Sequence, residues 1–159
     1  MNKEIAKALQ APFPPEEVQW KVQTRSRDKR RGLVVAYIDA RAVLNRLDEV
    51  VGPEGWHDSY DILADRHGEE GRLTEVRCRL TVLGITKEDV GEGDSLKAAF
   101  SDALKRAAVK FGIGRYLYYL PSQWVDLDEN GNIPPKTLKK LQQLLADDQE
   151  DQEEDRRNP

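Results

Sequence analysis

The chain holds one cysteine, Cys78, and two histidines, His57 and His67, among its 159 residues. A single thiol cannot close an internal disulfide, and it rules out a conventional thiolate metal site. Cys78 sits in an alternating apolar pattern, which favours a buried small hydrophobe over a nucleophile or a ligand. No apolar run reaches membrane-spanning length, so no membrane partner is predicted, and no N-terminal signal peptide is visible. A soluble protein of a reducing cytoplasm fits these absences. The glycines of GEGDSLK and GIGRY complete neither a phosphate-binding GxxxxGK loop nor a dinucleotide GxGxxG turn. No motif singles out a pair of carboxylates as a nuclease's metal ligands. Nothing here argues for an enzyme, a metal or another cofactor.

What the chain has in quantity is charge. Charged residues are 34% of the total and hydrophobic ones 38%, a balance that suits one polar-surfaced domain able to bury a core without staples. The net charge of −4 argues against a nucleic-acid partner until it is divided along the chain. Residues 147–159 hold seven acids against two arginines, a net of −5, which leaves +1 for residues 1–146. Within that stretch Lys21, Arg25, Arg27, Lys29, Arg30 and Arg31 stand against Asp28 alone, a net of +5. A phosphate backbone senses such a local patch rather than the total. The composition predicts one domain over residues 1–146 and a disordered acidic tail over 147–159. The run DDQEDQEED has too little apolar surface to order itself.

The strongest local signal is a helix through Leu96, Ala99, Phe100, Ala103, Leu104, Ala107, Ala108 and Phe111, the spacing of one buried face. Asp94 or Ser95 can cap its start, and Gly112 can take the left-handed conformation that closes it. Lys97, Asp102, Lys105, Arg106 and Lys110 lie on the polar side. Val109 projects there too, as an ordinary exposed residue or as part of a second packing surface.

Upstream, a short helix over residues 2–10 is stopped by APFPP. Strands over 17–24 and 33–38 then form a hairpin with a long basic tip. Asp39 caps a helix reaching Val51, broken by Gly52, Pro53 and Gly55. Strands follow over 56–64, 73–83 and 85–90, with DRHGEEG as a turn and Gly91 and Gly93 at bulge or strand-end positions. After the main helix come a brief aromatic helix in GRYLYYL, a turn-rich connector QWVDLDENGNIPP, and a last amphipathic helix over 137–146. The order is that of an α+β protein, an antiparallel sheet packed on one long helix.

Binding a single strand of DNA without reading its bases needs a positive groove for phosphates and, in some proteins, aromatic faces for stacking. The basic hairpin and the cationic helix face offer the first. Each residue also has a plainer reading. Lys105 and Arg106 can be a solvated face, and Tyr37 can be core. Trp20, Trp56 and Trp124 read as core or subunit contacts before stacking platforms, and Tyr116, Tyr118 and Tyr119 as packing residues.

The run DVGEG, a spacer and SDALKRAAVKFGIG, preceded by YIDARAVLNRLDEVVGPEGWHDSY, resembles the Rad-fifty-two-type single-strand annealing family. The order and spacing of these motifs over residues 17–120 carry the resemblance, which is strongest to the family's bacterial branch of DNA damage response proteins. It implies a non-enzymatic DNA repair protein that assembles side by side into a closed ring. Single-stranded DNA would run in a positive groove around the outside, with no nucleotide or metal required. Lys105 and Arg106 match the family's LKR pair, which contacts the DNA backbone in the inner part of the groove. Tyr37 matches an aromatic beside that site, and Arg25 falls near an arginine of the preceding strand. Arg72 falls near a basic residue of a second, outer DNA site. Lys97, and the hairpin residues Arg27, Lys29 and Arg30, extend the basic surface.

Two departures qualify this picture. The family places an arginine one turn after the LKR pair, where this chain has Val109. Lys110 is the substitute, but it points about 100° away around the helix. The segment between the DVGEG strand and the long helix is also shorter than in eukaryotic members, which removes basic positions of the outer site. Single-strand binding is therefore favoured over duplex binding or active annealing. The bacterial branch further implies shielding of 3′ DNA ends, self-association and a cytoplasmic, nucleoid-associated location. The rivals are a protein-interaction scaffold whose Lys105 and Arg106 bind an acidic partner or the protein's own tail, and a nuclease-like enzyme.

Overall fold

Three helices begin where a short polar side chain takes up a free backbone N–H. Asn2 Oδ1 accepts from the Ile5 amide at 2.8 Å, Asp39 Oδ1 from Ala42 at 2.9 Å, and Ser95 Oγ from Ala98 at 3.1 Å. These caps start α1 (Lys3–Gln10), α2 (Ala40–Val51) and α3 (Leu96–Val109). The computed structural model describes residues 1–157. Its remaining elements are β1 (Gln19–Arg25), β2 (Arg31–Tyr37), β3 (Trp56–Gly68), β4 (Gly71–Val82), β5 (Ile85–Gly93), β6 (Gln123–Asp126) and α4 (Pro135–Arg157), with single 3-10 turns at Pro15–Glu17 and Arg115–Tyr119. No helix among the described residues is long and apolar enough to cross a membrane.

The α+β class and the antiparallel pairing predicted from sequence are what the structure has, but the strands form two three-stranded sheets rather than one. The chain divides into two compact units. The first, residues 1–11 with 39–116, contains the sheet β3–β4–β5, the helix α3 lying against β4 and β5, and the helices α1 and α2. On β4 the side chains alternate as predicted: Thr74, Val76, Cys78, Leu80 and Val82 are buried, while Leu73, Glu75, Arg77 and Arg79 take the other face. Ala99, Ala103, Ala107 and Ala108 of α3 are fully buried. Tyr60 of β3 stacks on Phe100 of α3, ring centroids 4.4 Å apart.

Gly91 is not the bulge or strand end that its residue type suggests. It lies within β5, opposite Val76, and a Cβ there would run into the backbone of Ala103. The strand carries glycine because the helix backbone comes against it. Gly112 does close the helix as predicted, with φ +94° and the Ile113 N–H reaching back to the Ala108 carbonyl at 3.2 Å. In the same unit the buried Arg46 of α2 donates to the carbonyls of Leu9 at 3.0 Å and Ala11 at 2.6 Å, tying down the end of α1.

The second unit, residues 12–38 with 117 onward, contains the sheet β1–β2–β6 and α4. β6 lies in the stretch read from sequence as a connector. Gln123 to Asp126 pair with Val34 to Arg31 of β2, and four residues are too few for an alternation to stand out. Where the sequence predicts an unstructured tail from residue 147, α4 runs on from Ala146 to Arg157. Its acidic half has no proline or glycine to stop it. Local pairs support it: Gln143 to Asp147 at 2.9 Å, Gln152 to Asp148 at 3.3 Å and Arg157 to Glu153 at 3.8 Å. The last two residues of the predicted tail, 158 and 159, lie outside the described residues. The hairpin turn predicted over DRHGEEG is also tighter, since β3 and β4 continue to Gly68 and Gly71.

Two outcomes follow for the first unit. Gly91→Ala should lower stability by about 1–3 kcal/mol through overpacking against α3, read from urea unfolding. Cys78, fully buried, has its thiol pushed up to about 11 by that burial. At pH 8 it should be silent to a disulfide-exchange reagent in the native protein and should react once urea unfolds the chain. Fast native-state labelling would contradict the packing.

Candidate nucleic-acid interface

Lys105 and Arg106 follow one another on α3, about 100° apart around its axis, and neither belongs to the set of residues the helix buries. Arg106 is exposed and Lys105 half-buried. Arg106 Nε donates to Asp102 Oδ2 at 3.0 Å, one turn earlier on the helix. The same carboxylate oxygen accepts the Glu92 amide of β5 at 2.9 Å. Asp102 therefore fixes the guanidinium relative to the strand as well as the helix. The i, i+4 spacing of these two residues is the signal that could have shown this positioning role from sequence.

The other predicted residues of this unit take different places. Lys110 caps α3 and turns onto β5, where its ammonium meets the Glu88 carbonyl and lies 3.7 Å from the Asp89 carboxylate. It does not join Lys105 and Arg106. Arg72 forms a two-pronged pair with Asp65 at 2.8 and 3.0 Å, so a phosphate there competes with an existing carboxylate. That guanidinium and the Thr74 hydroxyl hold the Asp65 carboxyl below its ordinary range. Lys97 is exposed in the first turn of α3, about 80° around the helix from Lys105. Val109 is half-buried rather than exposed.

The open face of the β3–β4–β5 sheet carries two more arginines, both already paired. Asp61 lies 2.9 Å from Arg77 and 2.6 Å from Arg79, and Glu88 lies 3.0 Å from Arg79. The hydrogen bonds from Arg77 and then Arg79 lower the Asp61 pKa. This face is a ladder of alternating charge. Among the described residues no group of histidine, cysteine, aspartate or glutamate is placed to hold a metal ion.

In the second unit the basic turn is ordered by its one acid. Asp28 Oδ1 accepts from the Ser26 hydroxyl at 2.8 Å and from the Arg30 amide at 3.1 Å. Those bonds, the Arg30 amide foremost, lower its pKa. Lys29 sits at φ +60°, and the Ser26 amide closes on the Arg31 carbonyl at 2.9 Å. Arg25, Arg27, Lys29 and Arg30 are all exposed around this turn, with Arg25 also donating to the Gly131 carbonyl at 3.1 Å. Tyr37 is half-buried at the far end of β2, and the Lys21 ammonium lies over its ring, 5.0 Å from the centroid.

Comparison with known proteins adds to this geometry. A model of the Rad52/22 family double-strand break repair protein matches residues 2–134. The single-stranded DNA-binding protein DdrA of Deinococcus radiodurans is 45% identical over 152 residues, covering 92% of this chain and 70% of that protein. The protein of the same name from Deinococcus deserti is 51% identical over 127 residues, 77% of this chain and 60% of its own. The mitochondrial DNA repair RAD52-like protein 1 of Arabidopsis thaliana is 27% identical over 128 residues, 73% of this chain and 66% of its own. The chain thus spans between 60% and 70% of the length of these relatives.

Proposed function

We propose a function from one premise: this chain belongs to the Rad52/22 family of double-strand break repair proteins. It binds single-stranded DNA through phosphate contacts, without catalysis, in the repair of broken DNA. The observation that carries this reading is the Lys105–Arg106 pair, consecutive on α3 outside its buried set, with Arg106 held by Asp102. Two relatives that carry the name of single-stranded DNA-binding proteins support it. Arg25, Arg27, Lys29 and Arg30 supply a second set of phosphate contacts, and Tyr37, Lys97, Lys110 and Arg72 lesser ones.

The finer parts of the reading are the ring, the preference for 3′ ends and the location at the nucleoid. One subunit offers few phosphate contacts, whereas subunits closed head to tail join them along one strand and raise avidity. β3 and β5 are the edge strands of their sheet, and although Lys110 and Asp102 take up the Glu88 carbonyl and the Glu92 amide of β5, edge strands carry further backbone groups for such an assembly to cover. A strand seated in the groove is closed to nucleases, which is how end protection would work without chemistry.

Filter binding to single- and double-stranded oligonucleotides over a salt series tests the site. Replacing Lys105 and Arg106 together by Ala should cost at least about ten-fold in single-strand affinity. It should also flatten the log–log salt slope by about 1.4, since each phosphate that goes unneutralised removes about 0.7. A folded double variant with unchanged affinity and slope would move the site elsewhere. Light scattering at micromolar concentration should give a mass many times the 18.1 kDa of one chain. A monomer that binds DNA tightly would sink the groove mechanism.

A further inference from the structure

One face of the sheet β1–β2–β6 has so far been given only Tyr37, at its far end. Along β2, Arg31, Leu33, Val35 and Tyr37 alternate with the buried Gly32 and Val34. The register sets Trp124 of β6 directly opposite Leu33, and Lys21 of β1 directly opposite Val35, so all of these share one face. Leu33, Val35 and Tyr37 are half-buried, and Trp124 is 46% exposed. The result is an open apolar strip with an indole in it. Lys21 and Arg31 flank the strip, and the basic turn of Arg25, Arg27, Lys29 and Arg30 is continuous with it in the hairpin. Arg31 is drawn to the β6 side, with its guanidinium donating to the Trp124 carbonyl at 3.2 Å and lying 3.2 Å from Asp126.

We infer that this face is a stacking platform for the bases of a single nucleic-acid strand, with Trp124 its principal contact. Three features choose that occupant. An exposed indole offers a π face to any base, which suits binding without sequence preference. The cations of the hairpin match phosphates carried on the same strand, since residues 21–31 have a net charge of +5. Arg31 is already paired with Asp126, but a second copy docking flat on the strip would have to desolvate Lys21 beside an apolar contact, whereas a nucleic-acid strand neutralises it. Of the two plainer readings of Trp124, its exposure removes the core residue and leaves the subunit contact as the rival. The inference rests on the single-strand binding proposed above and names a second mode of contact, to bases rather than phosphates.

The test compares Trp124→Ala, Trp124→Phe and Trp124→Leu with the unchanged chain. Each is titrated, by anisotropy, against a labelled oligothymidylate and an abasic strand of the same length. Trp124→Ala should lose about ten-fold affinity for oligothymidylate, in the range that removal of one stacked base produces. Its affinity for the abasic strand and its salt slope should not change, because every phosphate keeps its cation. Trp124→Phe should keep most of the affinity and Trp124→Leu should not, since leucine keeps apolar bulk but has no π face. The Phe and Leu pair carries the test if the Ala variant fails to fold. Equal losses on both strands, retention by Trp124→Leu, or no loss at all would overturn the inference. So would a drop in assembly mass, which would assign the face to a second copy. If the unchanged chain binds neither strand, the function proposed above fails. If it binds and Trp124→Ala binds equally well, only the stacking role fails.

Discussion

The contact on which the first unit depends is the close seating of α3 against β5 and β4. Four fully buried alanines on the helix and a glycine on the strand let the two backbones come together. Small residues on both sides leave little apolar area per residue, so the stability of this layer comes from dense dispersion contacts rather than from large side chains. Phe100 against Tyr60, and Leu80 and Val82 beneath, supply the bulk around it. The same seating fixes the rotation of α3 about its own axis. With the alanines turned in, Lys105 is carried toward the opposite side and Arg106 toward the β5 flank, where Asp102 holds it, so the candidate site inherits its geometry from the packing.

Electrostatics then decides which cations remain to meet a ligand. Arg77, Arg79 and Arg72 are engaged by Asp61, Glu88 and Asp65, and Lys110 is turned toward Asp89. These pairs are partly exposed, so each adds little to stability. Their effect is to divide the surface into regions of cancelled charge and regions of excess. The basic turn is the clearest excess, because its one acid, Asp28, is spent on shaping the turn through Ser26 and Arg30. A protein of net charge −4 thereby keeps a local surface of excess positive charge.

Much of this is legible in the amino-acid sequence. The period of α3, its Ser95 start and its Gly112 end were readable because helix phase and termini are set within a few residues. The alternation of β4, the cap at Asp39 and the division of charge along the chain were readable for the same reason. The Asp102–Arg106 pair is present in the spacing but does not stand out there, since many such spacings on helix surfaces pair nothing. β6 is not legible there because four residues inside a turn-rich stretch give no period to detect. Composition ends α4 at Ala146 because it measures apolar content, whereas the helix continues to Arg157 with the help of i, i+4 pairs.

What the sequence by itself determined is the local menu: which segments are helices or strands, which side of α3 is polar, and where positive charge accumulates. Each of these depends on neighbours within one or two turns. What only the tertiary structure decided is which distant segments meet. Leu33 and Trp124 face each other across ninety-one positions, and no local pattern encodes that pairing. Gly91 is required by Ala103 of another element, and Lys110 belongs to β5 rather than to the cationic pair one turn earlier. The physical reason is common to all three. A side chain's direction follows from local backbone geometry, but its partner follows from the one packing that buries every apolar face at once.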